Sequence, residues 1–357
     1  MAFDSRTGAE PRGEGGCMSS HLSTITQVMR GLGLGLCIIF AAACAGTTSP
    51  SPTELTTVRF SYDWVPDSDW AAVVWADELG YFAENGVEVE YLPGDPTLLE
   101  KFATQQFDMA QVPGPFMVQA HAEGLPFTVV GVTMPESPLV VVADGALVSE
   151  VEDIEGKRVA VQVGEFEEFV WAAWAAANGI DRSSVEEIPA GGLGDILFIE
   201  GQVDVMMDFY SSGSMVPLTE EHPGEETLFL VSDTQQLVGQ SVGVHNEFLS
   251  THPDAVRGFL AGWARGANYM IEHPDESMDL MLERFEDLDQ AGVEWSTAAF
   301  IEFWTGEQFS ADGMLSFTPE MWESTKKLLV DTDQIEETDI TDMYTTEYLP
   351  DPPIFPS

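Results

Sequence analysis

The segment Gly239–Gly243 has the spacing of a catalytic serine motif. Its sequence, Gly-Gln-Ser-Val-Gly, matches the G-x-S-x-G pattern, in which the serine sits on a sharp turn between a strand and a helix. The residues after Ser241 continue instead as a short apolar segment that is typical of a strand. Asp254 and His273 follow in the order of a hydrolase triad, but they come too soon for that fold. We therefore interpret the motif as part of a strand and expect a protein that is not an enzyme.

The spacing of histidines and glycines gives weak signals for metal or phosphate chemistry. No two of the six histidines stand three or four residues apart, so the helical zinc motif is absent from the sequence. The segment Gly191–Asp195 is rich in glycine, but it lacks the lysine of a phosphate-binding loop and its surroundings are acidic. We therefore interpret this segment as an ordinary loop rather than a phosphate-binding loop. We therefore expect no metal site and no cofactor.

An aromatic and acidic loop follows the first predicted strand. It spans Asp63–Trp70 with the sequence DWVPDSDW, in which Pro66 limits the freedom of the backbone. Trp64 can stack on a flat heteroaromatic ring, while the acids can accept hydrogen bonds from amino groups on that ring. A place for Trp64 in the core or at the rim stays open as the alternative. The loop therefore favours a ligand site over a catalytic one.

Such a loop must be positioned by the strands and helices around it. Strand-like segments alternate with helical ones, and from Asp254 onward the pattern is mostly helical. Because this β-α-β-α order is typical of parallel sheets, we predict α/β units whose sheets are mostly parallel and flanked by helices. The two units share a rhythm but no visible sequence repeat. The predicted strands are Val58–Tyr62, Val87–Leu92, Phe107–Val112, Phe127–Val132, Leu139–Ala143, Lys157–Val163, Val185–Ile188 and Val203–Phe209.

The charge balance excludes several classes of partner. The 357 residues contain 61 Asp and Glu but only 13 Lys and Arg, which gives a formal net charge of −48. A surface this negative repels phosphate groups, so we expect no nucleic-acid partner and no docking on anionic lipid. The length suggests roughly two domains of ordinary size. The excess of acids is typical of a saline or extracytoplasmic setting, with an ordinary acidic protein as the alternative.

The amino-terminal residues have the features of a targeting segment. Gly31–Ala43 is an apolar run of 13 residues, too short to span a bilayer but suited to a signal peptide. Small residues precede Cys44 as in a bacterial lipobox, although Ala41 replaces the usual large aliphatic residue. We predict that residues 1–43 are a signal peptide, that Cys44 is lipidated, and that residues 44–57 form a Ser/Thr/Pro-rich tether. Simple secretion is the alternative.

The loop Asp63–Trp70 resembles the D-W-x-P-N-x-N-H loop of solute-binding proteins related to the thiamine-pyrimidine synthases. These are the receptor lipoproteins of ABC importers for pyrimidine precursors of thiamine. Several of the similar segments are shared with sulfonate and nitrate receptors. The Cys-rich motif of the eukaryotic pyrimidine synthases is absent from the sequence, so the resemblance does not imply synthase activity. The further segments that resemble the family are Ala76–Val89, Phe107–Ala110, Asp153–Val159, Gly201–Asp204, Phe209–Tyr210, His252–Asp254, His273–Glu276 and Tyr344–Pro350.

The loop also departs from the family pattern. Asp67 and Asp69 stand where the family has asparagine, and Trp70 stands where it has histidine. Exchanging asparagine for aspartate removes amide donors and leaves acceptors, which favours a donor-rich or cationic ligand. This leaves riboflavin or another heteroaromatic compound, or a sulfonate- or nitrate-type ligand, as alternatives to a hydroxymethylpyrimidine.

The resemblance implies a periplasmic-binding-protein fold of type II with two lobes. Lobe one would comprise residues 58–139 and 243–357, and lobe two residues 140–242, with hinge crossings near Val140–Ala143 and Gly239–Gly243. A monomer anchored outside the cytoplasm would capture the ligand between the lobes and deliver it to ABC permease subunits. The expected ligand-binding residues are Trp64, Asp67, Asp69, Trp70, Gly94, Pro113, Gly114, Glu165, Glu167, Asp208 and Tyr210.

Overall fold

The computed structural model describes residues 55–62, 66–92, 94, 98–163, 166–221 and 226–357. The predicted signal peptide, Cys44 and nearly all of the tether lie outside these residues, as do Trp64 and Glu165. The strands are β1 (Thr56–Tyr62), β2 (Val87–Leu92), β3 (Met109–Pro113), β4 (Phe127–Met134), β5 (Leu139–Asp144), β6 (Arg158–Val161), β7 (Glu186–Pro189), β8 (Val205–Phe209), β9 (Glu226–Leu230) and β10 (Gln240–His245). The eight predicted strands therefore match β1 to β8 within two residues at either end.

The helices are concentrated in the last third of the chain, as the sequence predicted. No helix in the described ranges is both long enough and apolar enough to cross a membrane. The helices are α1 (Ala71–Glu78), α2 (Tyr81–Glu84), α3 (Leu98–Ala103), α4 (Gly114–Ala122), α5 (Phe166–Ala177), α6 (Gly194–Ile199), α7 (Met215–Glu221), α8 (Asn246–Thr251), α9 (Pro253–Glu272), α10 (Pro274–Arg284), α11 (Gln290–Trp304), α12 (Glu307–Asp312) and α13 (Pro319–Asp331).

The strands form two five-stranded mixed sheets. The first has the order β2-β1-β3-β10-β4 and the second the order β7-β6-β8-β5-β9. In each sheet four strands run in one direction and a single strand runs against them, namely β10 in the first and β5 in the second. Helices cover both sheets, so the prediction of mostly parallel sheets flanked by helices is confirmed, with one antiparallel strand in each.

The segments that connect the sheets differ from the predicted crossings. Val140–Ala143 lies inside β5, and β10 begins at Gln240, so the connections are residues 135–138 and 231–239. The two connections lie close together where they meet the first sheet, because the Gly239 N–H donates to the carbonyl of Met134, the last residue of β4, at 3.0 Å. A boundary at residues 242/243 would cut through β10. An apolar β-branched pattern shows that a strand is buried but not which sheet it joins.

Each sheet contains a bidentate pair between an arginine on one strand and an aspartate directly before the neighbouring strand. In the first sheet, the Arg59 guanidinium donates to the two Asp108 carboxylate oxygens at 2.9 and 2.6 Å. In the second, Arg158 on β6 binds both oxygens of Asp204 in the same way, and these hydrogen bonds hold the pKa of the Asp204 carboxyl below its usual value. The partners lie 49 and 46 residues apart, so this repeat is visible only in the structure.

Helix α9 places three glycines, spaced four residues apart, against its neighbours. A Cβ atom on Gly266 would lie 1.9 Å from the Ala72 carbonyl oxygen in α1. One on Gly262 would lie 2.4 Å from the Phe82 ring in α2. The glycines therefore let α9 pack backbone against backbone on one side of the first sheet, above a core that includes Trp263.

Candidate functional site

The loops that follow β1 and β8 meet at the amino-terminal half of α11. The Ser68 hydroxyl lies 2.5 Å from the Ser296 hydroxyl and thus ties the loop after β1 to this helix. The Trp295 indole N–H donates to the Tyr210 carbonyl at 2.6 Å and ties the loop after β8 to the same helix. Ligands in open α/β sheets bind at the carboxyl ends of strands. This junction is therefore the candidate site.

Two predicted acids line the part of the loop after β1 that the structure describes. One oxygen of Asp67 accepts the Asp69 backbone N–H at 2.9 Å and caps the turn of 3₁₀-helix at Ser68–Trp70. Burial raises the pKa of the Asp67 carboxyl. One oxygen of Asp69 accepts the Gln111 amide at 2.6 Å. Both residues are half-buried, and a carboxylate that has lost part of its hydration gains from a ligand that donates hydrogen bonds.

The structure corrects the expected role of Trp70. Its side chain is 6% exposed and stacks on Tyr62 with ring centroids 4.3 Å apart. The Phe285 ring packs edge-on at 5.6 Å. The turn of 3₁₀-helix points the indole down into the core beneath the loop. Trp70 is therefore a core residue, and the prediction that it contacts the ligand is wrong.

Gly114 also has a structural role that differs from the expected one. Its N–H donates to the Gly239 carbonyl at 3.0 Å, so this backbone donor is already used. A Cβ atom here would lie 2.6 Å from the backbone oxygen of Val238, which explains the glycine. Pro113 is buried in the ladder between β3 and β10, opposite Gln240. Gly94 is half-buried, two residues beyond the end of β2.

Two of the predicted ligand residues in the second sheet lie together at the carboxyl end of β8. Asp208 accepts the Phe209 N–H at 2.7 Å and the Ser214 hydroxyl at 2.8 Å, and burial raises its pKa to about 6. The Tyr210 ring packs edge-on against Trp295 at 5.5 Å, and burial raises the pKa of its phenol. Glu167 lies half-buried in the first turn of α5. The acids and the aromatic residue expected here are therefore present.

Sequence reasoning missed Gln111 and Trp295. Gln111 is 2% exposed, and in the described part of the chain its Oε1 atom has no hydrogen-bond partner. A glutamine within the wholly buried segment Met109–Pro113 is a signal that could have been noticed. Trp295 fits the helical apolar spacing of α11, and nothing in that pattern distinguishes it from a core residue.

Ser241 is not placed as a nucleophile. It lies on β10, is 0% exposed, and its hydroxyl donates to the Val112 carbonyl at 3.1 Å. The strand prediction for this motif is therefore confirmed. Among the residues that the structure describes, no three His, Cys, Asp or Glu side chains come close enough together to hold a metal ion.

The sequence profile of the family described as NMT1/THI5 like matches residues 67–277, more than half of the chain. The chain belongs to the NMT1/THI5-like family. The predicted membership of the family related to the thiamine-pyrimidine synthases is thereby confirmed. The match includes Asp67, Asp69, Asp208 and Tyr210 but begins after Trp64.

Relatives of this NMT1/THI5-like chain carry names from more than one functional class. The riboflavin-binding protein RibY of Chloroflexus aurantiacus is 23% identical, over 86% of this chain and 91% of the relative. The 4-amino-5-hydroxymethyl-2-methylpyrimidine phosphate synthase of Legionella pneumophila is 25% identical, over 83% and 93%. The formylaminopyrimidine-binding protein of Halalkalibacterium halodurans is 24% identical, over 70% and 77%.

Solved structures place the NMT1/THI5-like chain in the periplasmic-binding-protein fold. The periplasmic aliphatic sulphonate binding protein SsuA from Escherichia coli superposes with a TM-score of 0.63. The alignment covers 80% of this chain and 91% of SsuA at 15% identity. At this identity the likeness shows the fold and leaves the ligand open.

Proposed function

We propose that the protein is an extracytoplasmic receptor of an ABC importer that captures a pyrimidine of the hydroxymethylpyrimidine class. The periplasmic-binding-protein fold and the family membership support a receptor. The relative named a formylaminopyrimidine-binding protein supports the pyrimidine. In this proposal the two sheets belong to two lobes, the connections 135–138 and 231–239 form the hinge, and closure traps the ring.

The observation that carries the proposal is the set of half-buried carboxylate acceptors at the junction. Partial burial raises the pKa of both Asp67 and Asp208. Asp67 lies in the loop after β1 and Asp208 at the carboxyl end of β8, and α11 contacts the chain beside both. Amino groups and ring N–H groups are the donors that complete the hydrogen bonds of such carboxylates. An aminopyrimidine supplies them on a flat ring. The Tyr210 ring offers an aromatic surface beside Asp208.

The same loops argue against an anionic ligand. No Lys or Arg occurs in the segments 62–70, 111–116, 162–168, 208–214 or 290–297. A sulfonate or nitrate placed beside the ionised acids would meet repulsion without a compensating cation. We therefore rank a sulfonate-type ligand below both heteroaromatic classes.

Riboflavin is the second candidate ligand. The relative named riboflavin-binding protein RibY aligns with 86% of this chain. A flavin shares the flat ring and the ring N–H donor of a pyrimidine but needs a longer aromatic surface. Riboflavin is therefore the direct competitor in the binding test.

Calorimetric titration with three compounds tests the proposal. The compounds are 4-amino-5-hydroxymethyl-2-methylpyrimidine, riboflavin and ethanesulfonate. We expect the pyrimidine to bind most tightly and ethanesulfonate not to bind. Tighter binding of riboflavin would replace the pyrimidine assignment, and tight binding of ethanesulfonate would contradict the charge argument.

The receptor proposal also predicts that the ligand leaves unchanged. One relative is named as a synthase, but the only serine motif of this chain lies in a buried strand. Mass spectrometry of the pyrimidine recovered after binding should show the starting compound. Any product formed in proportion to the protein would identify an enzyme.

We expect Trp64→Ala to weaken pyrimidine binding about ten- to hundredfold. An aromatic stacking contact contributes about 0.5–1.5 kcal/mol beyond the apolar area it buries, and about 1.4 kcal/mol changes affinity tenfold. Calorimetry gives the affinity, and thermal melting shows whether the fold is intact. Trp64→Phe is the matched control, because it keeps an aromatic face and should retain most of the affinity. Lower stability with normal affinity in Trp64→Ala would assign Trp64 to the core.

We also propose that Cys44 is lipidated and anchors the receptor to the membrane. The small residues before Cys44 support this. We expect Cys44→Ser to move the protein from the membrane fraction to the soluble fraction outside the cytoplasm. Cys37→Ser, within the predicted signal peptide, is the control and should leave the anchoring unchanged. Membrane retention of Cys44→Ser would contradict the anchor.

A further inference from the structure

Helix α11 contacts both candidate ligand loops within its first two turns. The Asp289 side chain accepts the Gly292 N–H at 2.9 Å and fixes the start of the helix. One side of these turns faces the loop after β1, and the other side faces the loop after β8. The two loops belong to different sheets, so α11 bridges the parts that would close on a ligand.

The contact with the loop after β1 is a buried cluster of three hydroxyl groups. Ser68 lies 2.5 Å from Ser296 and 3.0 Å from Thr297, measured between the side-chain oxygens. The three residues are 0%, 2% and 3% exposed. Buried hydroxyl groups that satisfy one another fix the geometry around them, because separating them would leave donors without acceptors. This side of α11 is therefore held firmly to the first sheet.

The contact with the loop after β8 is close and includes one strong hydrogen bond. Trp295 donates from its indole to the Tyr210 carbonyl at 2.6 Å. Three residues further on, a Cβ atom on Gly213 would lie 3.1 Å from the Gly292 Cα atom. The two backbones thus touch where both residues are glycine. Tyr210 and Asp208 lie at the end of the same strand, so this contact also positions them.

We propose that α11 is a strut that couples the two ligand loops, with Trp295 and Gly292 as its positioning residues. The strut sets the separation between the acids after β1 and the Asp208–Tyr210 pair at the carboxyl end of β8. It thereby sets the width of ligand that the closed site accepts. The inference deepens the proposed function, but its main test needs no ligand.

Disulfide trapping tests the strut directly. Cys44 is the only cysteine after residue 37, so a Cys44→Ser background of the mature chain is free of cysteine. Gly213→Cys with Gly292→Cys places two thiols across the contact, where a Cβ atom on either residue would lie 3.1 or 3.5 Å from the Cα atom of the other. Ser68→Cys with Ser296→Cys is the matched control on the other side of α11. We expect both pairs to form disulfides on mild oxidation. Failure of the first pair alone would overturn the strut.

The role of Trp295 is tested by the rate of that trapping. Trp295→Phe keeps an aromatic ring but removes the hydrogen bond to Tyr210, and we expect disulfide formation at 213/292 to slow about fivefold. Trp75→Phe is the matched control, because Trp75 donates its indole N–H at 2.7 Å to Ser277, away from both loops. It should leave the rate unchanged. If the disulfide at 213/292 forms at the same rate with Trp295→Phe as with Trp75→Phe, Trp295 does not position the loop after β8.

A binding measurement separates this inference from the proposed function. We expect Trp295→Phe, but not Trp75→Phe, to weaken binding of 4-amino-5-hydroxymethyl-2-methylpyrimidine at least fivefold. If the unsubstituted protein does not bind this pyrimidine, the proposed ligand is wrong while the trapping results still decide the strut. If it binds and Trp295→Phe binds equally well, the strut does not position the ligand.

Discussion

We expect Gly266→Ala to lower the free energy of unfolding by about 3 kcal/mol, the upper end of typical overpacking costs. The new Cβ atom would lie 1.9 Å from the Ala72 carbonyl oxygen, 2.9 Å from its carbonyl carbon and 3.0 Å from the Ala76 nitrogen. All three are backbone atoms of α1, so no side-chain rotation can relieve the overlap. Helix α9 must move away from α1, and the apolar contacts around Trp263 loosen with it.

Chemical denaturation and thermal melting check this expectation. A loss of about 3 kcal/mol corresponds to a fall in melting temperature of roughly 4–6 °C for a protein of this size. Gly194→Ala is the matched control, because a Cβ atom there would meet nothing closer than 3.8 Å. We expect the control to unfold like the unsubstituted protein. If both variants behave alike, the close approach of α1 and α9 is not as the structure has it.

The second large effect is a pH-dependent gain of stability in Asp208→Asn. Burial raises the pKa of Asp208 to about 6, whereas its ordinary value is 3.8. Because the carboxyl ionises more easily in the unfolded chain, its charge destabilises the folded state above pH 6. A difference of two pKa units corresponds to about 3 kcal/mol. Asparagine carries no charge, so the variant should be more stable than the unsubstituted protein at pH 8 by up to that amount.

The gain should disappear on acidification. As the pH falls from about 6 towards the ordinary value of 3.8, Asp208 becomes protonated in the folded protein and its penalty is removed. The unfolding curves of the two proteins should therefore converge near pH 4. Asp181→Asn is the control of opposite sign, since the Ser183 hydroxyl and N–H hold the pKa of Asp181 below its usual value. Parallel stability profiles for Asp208→Asn and the unsubstituted protein would show that Asp208 is well solvated.

Ligand affinity should change in the opposite direction from stability. An ionised Asp208 accepts hydrogen bonds from the amino group of a pyrimidine, and asparagine accepts them more weakly. We therefore expect Asp208→Asn to lose at least about tenfold in affinity at pH 8. A variant that is more stable yet binds less well is the signature of a buried charge kept for a ligand.

The sequence predicted most strands because alternation and β-branched runs reflect burial on one or two faces of a sheet. It could not show that β5 and β10 run against their neighbours. The direction of a strand depends on which strands it pairs with. The apolar residues of β5 and β10 are compatible with parallel and with antiparallel pairing. The Arg59–Asp108 and Arg158–Asp204 pairs were equally hidden, since each joins residues more than 40 positions apart.

The candidate site could be predicted where acidic or aromatic side chains lie at the ends of predicted strands. Asp67, Asp69, Asp208 and Tyr210 could be proposed from the sequence because these acids and this aromatic residue lie at or just beyond the ends of predicted strands. Trp70 was misplaced because it ends a turn of 3₁₀-helix and packs in the core, and residue type alone does not reveal that turn. Matched contacts between distant glycines, such as Gly213 with Gly292, depend on tertiary packing that no local pattern encodes.

The insertion of β10 between β3 and β4 has a consequence for the order in which the chain folds. The second sheet is complete once Leu230 has been synthesised, because all its strands lie between residues 139 and 230. The first sheet cannot be completed until β10 is synthesised, more than 100 residues after β4. Until then β3 and β4 are not joined to each other, and the strand edges that β10 will occupy have no partner. Contacts this distant in sequence form slowly. The half of the protein made first is thus finished last.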